Sequence, residues 1–281
     1  MDTPRKFAFF GTPSVARETL AALLDAGFTP TVVVTNPDAP KGRGLALTPS
    51  PVKELSAERG IPVLAPESLD EAAQAAIAAY GCEYAVVVAY GKIFPESLIS
   101  AFPLGVLNVH YSLLPKYRGA TPMEAALLAG DEVTGVTVQK MVKALDAGDI
   151  LAQEETPIAP TETARELRPR LIALGAKLLV ETLPEFERGE IAPRKQDDAR
   201  ATRARKFTKD DGRLDLSGDA RENWNKYRAY ADTIGTHFFT ADGTRVKIKS
   251  AELASGQFRV LRVVPEGKSE MQYDALVHRK Q

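Results

Sequence analysis

A doubly wound, mostly parallel α/β sheet followed by a smaller β-rich domain is the fold class that this 281-residue sequence predicts. Three observations carry the prediction. Short β-rich apolar runs alternate with helical patterns through the first half of the chain, as in sheets built from strand–helix–strand units. The run Y-A-V-V-V-A at 84–89 is continuously apolar, which suits a strand covered on both faces. After a polar, charged stretch at 189–212, the pattern changes to short strands separated by glycine-containing turns. We therefore place a first domain at 1–188, a linker at 189–204 and a second domain at 205–281.

Residues 6–10 make the first strand, ending at Gly11, and Ser14 is expected to cap a helix over 15–24. The next strand spans 31–35. Residues 36–51, N-P-D-A-P-K-G-R-G-L-A-L-T-P-S-P, have no periodicity and read as a long loop, which inside a compact domain is usually functional. A short helix at 52–59, a strand at 62–64 and an alanine-rich helix at 69–80, begun by Asp70 and Glu71, lead to the strand at 84–89. Residues 104–110 make a further strand, and 123–129 a helix stopped by Gly130 and Asp131. Two more strands follow at 134–141 and 150–157, then a long helix to 188 capped by Thr161 or Thr163. In the second domain a helix near 220–230 precedes strands at 245–248 and 258–264. Asp242-Gly243, Ser255-Gly256 and Glu266-Gly267 are its turns.

Composition bounds the function. Hydrophobic residues at 44% and charged residues at 26% are ordinary for a soluble globular protein. The formal net charge of −1 excludes a uniformly basic nucleic-acid binder, but the charge is unevenly placed. From Arg203 onward, sixteen Lys and Arg face eleven Asp and Glu; before it, twenty face twenty-six. A basic domain on an acidic body points to a polyanionic partner. Cys82 is the one cysteine, so no disulfide closes within the chain. With no zinc-ligand spacing, a reducing, cytoplasmic setting is expected. The apolar run at 7–10 is too short for the core of a secretion signal, and no run reaches membrane-spanning length. F-F-G-T-P-S at 9–14 is strand, glycine and helix, without G-x-G-x-x-G or G-x-x-x-x-G-K-[ST]. NAD and ATP are therefore not expected, and that helix start either holds an anion or simply closes the turn.

The chemistry gathers at strand ends. Asn108 and His110 share one side of a strand because side chains alternate with a period of two. Asp146 follows the next strand, in L-D-A-G-D. In an open sheet, such strand ends converge on one crevice. An amide and an imidazole can hold an oxyanion, while a carboxylate can orient the imidazole and collect a proton. No serine or cysteine lies in a nucleophile-elbow motif, so direct acyl transfer is the expected reaction class.

N-V-H-Y-S-L-L-P-K-Y-R-G at 108–119, T-G-V-T at 134–137 and L-D-A-G-D at 145–149 resemble the N10-formyltetrahydrofolate-dependent formyltransferases. T-N-P-D-A-P-K-G-R-G at 35–44, T-P-S-P-V-K at 48–53, V-V-A-Y-G-K-I-F-P at 87–95 and K-F-T-K-D-D-G-R-L-D at 206–215 resemble that family's methionyl-tRNA-directed branch. The likeness runs in order along nearly the whole chain.

The resemblance implies a Rossmann-like first domain and a C-terminal oligonucleotide-binding-type barrel. It implies that Asn108, His110 and Asp146 are catalytic. Val88, Ala89, Tyr90, Gly91, Ser112, Leu113, Leu114, Pro115, Leu145 and Gly148 would bind the folate, and Lys41 and Arg43 the tRNA. The co-substrate would be N10-formyltetrahydrofolate and the acceptor initiator methionyl-tRNA, with no metal, for a monomer in the cytoplasm. Three departures stand out. Leu45 and Ala46 replace the usual two lysines, Tyr111 replaces a small residue or proline, and the C-terminal barrel is shortened by a strand pair between 248 and 262. A sugar-amine N-formyltransferase using the same donor is the rival expectation.

Overall fold

A computed structural model describes residues 5–41 and 46–278, with Lys41 described by its backbone alone. In chain order the elements begin with β1 (Phe7–Gly11), α1 (Ser14–Asp25), β2 (Val32–Val34), β3 (Ala39–Lys41), β4 (Ala46–Thr48) and α2 (Pro51–Glu58). They continue with β5 (Val63–Leu64), α3 (Glu71–Ala78), β6 (Tyr84–Val88), α4 (Glu96–Ser100), β7 (Gly105–His110), β8 (Arg118–Gly119) and α5 (Pro122–Ala129). Next come β9 (Val133–Lys140), β10 (Ile150–Pro157), α6 (Ala164–Arg188), β11 (Arg203–Ala204) and α7 (Ala220–Tyr230). The last elements are β12 (Thr236–Phe239), β13 (Arg245–Ala254), β14 (Gln257–Pro265), β15 (Met271–Gln272) and α8 (Tyr273–His278).

Seven strands form one sheet in the order β10-β9-β7-β6-β1-β2-β5. β5, β2, β1, β6 and β7 are parallel, and β9 joins β7 antiparallel. Every residue of β1, β2 and β6 is buried, because Val, Phe, Tyr and Ala here face helices or packed side chains on both sides. After β1 the chain moves outward through β2 to β5, then returns to place β6 on the other side of β1. That reversal opens a crevice at the carboxyl ends of β1 and β6, where open α/β sheets bind ligands. Phe10 anchors the sheet beneath it, meeting Tyr90, Phe94 and Phe102 edge-on at centroid distances of 5.5, 4.9 and 6.3 Å.

The sequence-based boundaries need correction at the helix starts and in the long loop. Ser14 is the first residue of α1, and Pro13, which offers no side-chain acceptor, is its N-cap. Ser50 instead caps α2, accepting from the Lys53 N–H at 3.1 Å with Pro51 at the first helical position. The 36–51 loop holds β3 and β4, paired antiparallel. Asp70 caps α3, and Gly130 closes α5 in the left-handed conformation at φ 72°. Of the two candidates before α6, Thr163 is the capping partner. Its N–H and hydroxyl both donate to Glu166 Oε2 at 2.9 Å.

The chain divides into two compact units, 1–118 with 135–155 and 171–202, and 119–134 with 156–170 and 203–281. In the second, β12-β13-β14-β15 form a four-stranded antiparallel sheet over a core of Leu214, Phe238, Val246, Ile248, Val263 and Leu276. Four strands are one fewer than an oligonucleotide-binding barrel has. In the same unit the Trp224 Nε1–H donates to the Pro160 carbonyl at 3.0 Å, and Arg228 Nη2 donates to Asn225 Oδ1 at 3.0 Å. No helix among the described residues is long and apolar enough to cross a membrane.

Candidate active site

β7 carries Asn108 and His110 to the carboxyl end of the sheet. Strand alternation puts the two on one face, with buried Leu107 and Val109 on the other. On β9 their register partners are Gln139 and Thr137. Asn108 is half-buried and His110 is buried.

The two ring nitrogens of His110 have different surroundings. Nε2 lies 2.9 Å from the Tyr117 carbonyl oxygen, which can only accept, so the ring proton belongs on Nε2. Nδ1 then faces Asp146, 3.7 Å from Oδ2. That is too long for a direct hydrogen bond. A substrate N–H lying off the line between them can reach both. The sequence suggested that Asp146 orients the imidazole; in the structure the Tyr117 carbonyl makes the short contact. Gln139 Nε2 donates to Asp146 Oδ1 at 2.9 Å, which leaves Oδ2 toward His110.

Burial holds the His110 imidazole below its ordinary pKa, against the opposing pulls of the Asp146 charge and the Tyr117 carbonyl. The ring is therefore neutral at pH 7, with an acceptor at Nδ1.

Backbone strain clusters here. Of the four described non-glycine residues with positive φ, Ala89 (47°), Tyr117 (62°) and Asp146 (50°) flank these groups. Such conformations persist where surrounding structure over-determines them, commonly at functional sites.

The predicted folate-binding residues divide by exposure. Ala89 and Gly91 are exposed at the end of β6, and Leu113 and Pro115 are partly exposed. Leu145 is 67% exposed, an apolar side chain left open beside Asp146. Val88, Tyr90, Ser112 and Leu114 are buried. The Ser112 hydroxyl donates to the Lys116 carbonyl at 2.6 Å, and the Leu114 N–H to Thr137 Oγ1 at 3.2 Å, so these groups serve the interior. Gly148 is required by packing, because a Cβ there would collide with the Lys140 carbonyl. Asn36, after β2, donates from Nδ2 to the Tyr90 carbonyl at 3.2 Å, while its Oδ1 is buried without a partner. An orphaned acceptor at this strand edge fits a ligand that presents an N–H.

Lys41 closes β3, and its side chain, like Arg43, lies outside the described residues. Among the described residues, no three His, Cys, Asp or Glu side chains gather as metal ligands would. Gln139 and Gln196 were not among the residues predicted from sequence. A buried glutamine in the apolar run V-T-V-Q, at the parity of the site-facing positions, was a signal for the first. Gln196 sits in a charged segment with no local pattern to mark it.

The sequence profile of the formyl transferase family matches residues 5–183. The methionyl-tRNA formyltransferase of Stutzerimonas stutzeri is 43% identical over 258 residues, 92% of this chain and 82% of that protein. That of Chloroflexus aurantiacus is 44% identical over 251 residues, covering 89% and 81%. The crystal structure of an N-formyltransferase from Helicobacter canadensis, in complex with folinic acid and dTDP-3-aminofucose, superposes with a TM-score of 0.69 at 19% identity. It covers 89% of this chain and 88% of its own, a likeness of fold.

Proposed function

The chain belongs to the methionyl-tRNA formyltransferases of the formyl transferase family, and from that premise we propose that it moves the formyl group of N10-formyltetrahydrofolate directly to the α-amine of methionine on initiator tRNA. The observation that carries the mechanism is His110, held at Nε2 by the Tyr117 carbonyl with Nδ1 3.7 Å from Asp146 Oδ2. The formyl donor supplies an activated carbonyl carbon and a nitrogen leaving group.

Neutral His110 accepts, at Nδ1, the proton that the amine loses as it attacks the formyl carbon. The resulting imidazolium lies beside the Asp146 carboxylate, which stabilises its charge. His110 Nδ1–H and the Asn108 amide then donate to the oxyanion on the formyl oxygen. When the carbon–N10 bond breaks, Nδ1 returns the proton to N10, so the proton balance closes on tetrahydrofolate and formyl-amine. No metal takes part, and turnover is expected to survive exhaustive chelation.

Ala89, Gly91, Leu113, Pro115 and Leu145 flank the folate by side chain or open backbone. Val88, Tyr90, Ser112, Leu114 and Gly148 shape its cleft from below. Lys41 and Arg43 supply positive charge for the acceptor arm. Residues 205–281 hold the tRNA body, where Arg245, Lys247 and Lys249 project from one face of β13 while Val246 and Ile248 are buried between them. The enzyme works as a cytoplasmic monomer.

The test is incubation with N10-formyltetrahydrofolate and, separately, methionyl-tRNA or amino-sugar nucleotides. Formyl-methionyl-tRNA is the expected product. Formylation of the sugar amine with none of the tRNA would replace this reading by the amino-sugar one.

A further inference from the structure

Residues 189–204 read as a linker in the sequence, but part of this segment is built into the catalytic loop. Ile150 and Arg194 exchange backbone hydrogen bonds at 2.8 and 2.9 Å, which brings the following residues alongside 145–149. Gln196 Nε2 donates to the carbonyls of Asp146 at 2.8 Å and of Gly148 at 2.7 Å. Its Oε1 accepts from Arg118 Nε at 3.0 Å and Nη2 at 2.8 Å, and Arg118 Nη2 also meets Asp198 Oδ1 at 2.7 Å.

This arrangement fixes which end of the Gln196 amide is which. Reversed, it would set oxygen against two carbonyls and nitrogen against a guanidinium. The two carbonyls it holds are that of Asp146 itself, which sits at φ 50° in the left-handed region, and that of the second residue after it. Arg118 directly follows Tyr117, whose carbonyl holds His110. One short segment therefore holds the imidazole through its backbone and, through its next side chain, holds the Gln196 amide that bonds the Asp146 turn.

We propose that Gln196, oriented by Arg118, is a positioning residue that locks the backbone turn at Asp146 and so aims the Asp146 carboxylate at His110. The proposal rests on the catalytic reading of Asp146. Gln139 fixes which carboxylate oxygen points inward, whereas Gln196 fixes where the carboxylate is.

The test is a double-mutant cycle on the full chain, reading kcat, donor KM and the thermal midpoint. Gln196→Glu keeps the size of the side chain and its pairing with Arg118 but turns a carboxylate oxygen toward the two carbonyls. Gln196→Leu removes both interactions. Each is expected to lower kcat by about 10- to 100-fold, the scale of a misplaced catalytic group. Donor KM should change little, and Gln196→Glu should melt near the parent temperature. In the Asp146→Asn background, the same substitutions should cost nothing further, because residues acting as one unit are not additive. A penalty that multiplies undiminished in that background, or parental kcat in Gln196→Glu, overturns the positioning role. Parental kcat in Asp146→Asn alone overturns the catalytic reading itself, a separate outcome.

Discussion

At the residue scale, the chemistry turns on which His110 nitrogen is available. With Nε2 committed to the Tyr117 carbonyl, Nδ1 is the nitrogen left for the proton exchange that the proposed function requires. Under the proposed function, replacing His110 or Asp146 by Ala removes the proton carrier or its charge partner, and Asn108→Ala removes an oxyanion donor. Each should lower turnover about 100-fold or more. Equilibrium binding of an unreactive folate should be nearly unchanged, and a His110→Ala protein with parental kcat would refute the scheme. The direction of the His110 shift fixes a pH dependence. Since burial depresses its pKa, the acid limb of kcat should have its midpoint below about 6.5, the unperturbed value. Asp146 pulls the other way, so in Asp146→Asn the residual activity should show that limb at still lower pH. An imidazole titration by NMR checks the same ordering, and a midpoint above 6.5 in the parent would contradict it. The stability linkage has the matching sign. As pH falls below about 6.5 the unfolded chain takes up this proton before the folded chain does, so His110 costs stability progressively on acidification. Asn108, His110 and Asp146 entered the candidate site from the sequence through their places at strand ends together with the resemblance of the motifs that hold them. Gln196 did not, because its partners are backbone carbonyls distant in sequence.

At the scale of elements, the long central strands and most helices of the first unit followed from apolar runs and caps. The one-turn α4 and the two- and three-residue strands β3, β4, β8 and β11 were too short to leave a pattern, and one cap was misplaced where two local signals competed. Ser14 resembles a cap, but Pro13 has the extended backbone that starts α1, leaving Ser14 inside the helix. The 36–51 segment lacks periodicity in sequence, yet its ends are tied down. Lys53 Nζ meets both Asp38 oxygens at 2.8 Å, and the Ser50 and Thr35 hydroxyls lie 2.7 Å apart. Under the proposed function, Arg43→Ala should reduce formylation of methionyl-tRNA and leave folate binding intact. If the guanidinium reads the acceptor end, the loss should vary with the first base pairs of the stem. If it meets phosphate alone, the loss should be uniform and the salt slope should fall by about one unit. Parental activity on initiator tRNA would remove Arg43 from the residues that act on tRNA.

At the scale of the whole molecule, the shift from an acidic body to a basic C-terminal region was visible in the sequence, but its placement on a surface was not. A count of charges cannot show that Arg245, Lys247 and Lys249 share a face. That follows from the period of β13 and from the burial of Val246 and Ile248 between them. Cutting the chain after residue 204 is a poor test of that face. Residues 119–134 and 156–170 belong to the same compact unit as 203–281, and truncation would strip the Trp224 indole from Pro160. Point substitutions are cleaner. Lys247 and Lys249 are exposed, so Lys247→Gln with Lys249→Gln should leave the thermal midpoint and folate binding at parental values. If both lysines lie on tRNA phosphates, affinity for methionyl-tRNA should fall. The slope of log affinity against log salt should then flatten by about 0.9 for each duplex phosphate no longer neutralised. Because phosphate contacts position without reading sequence, elongator and initiator tRNAs should weaken alike, and discrimination between them should be unchanged. Equal affinity and an equal slope for the double variant and the parent would remove β13 from the tRNA surface and leave the acceptor-arm loop to account for binding.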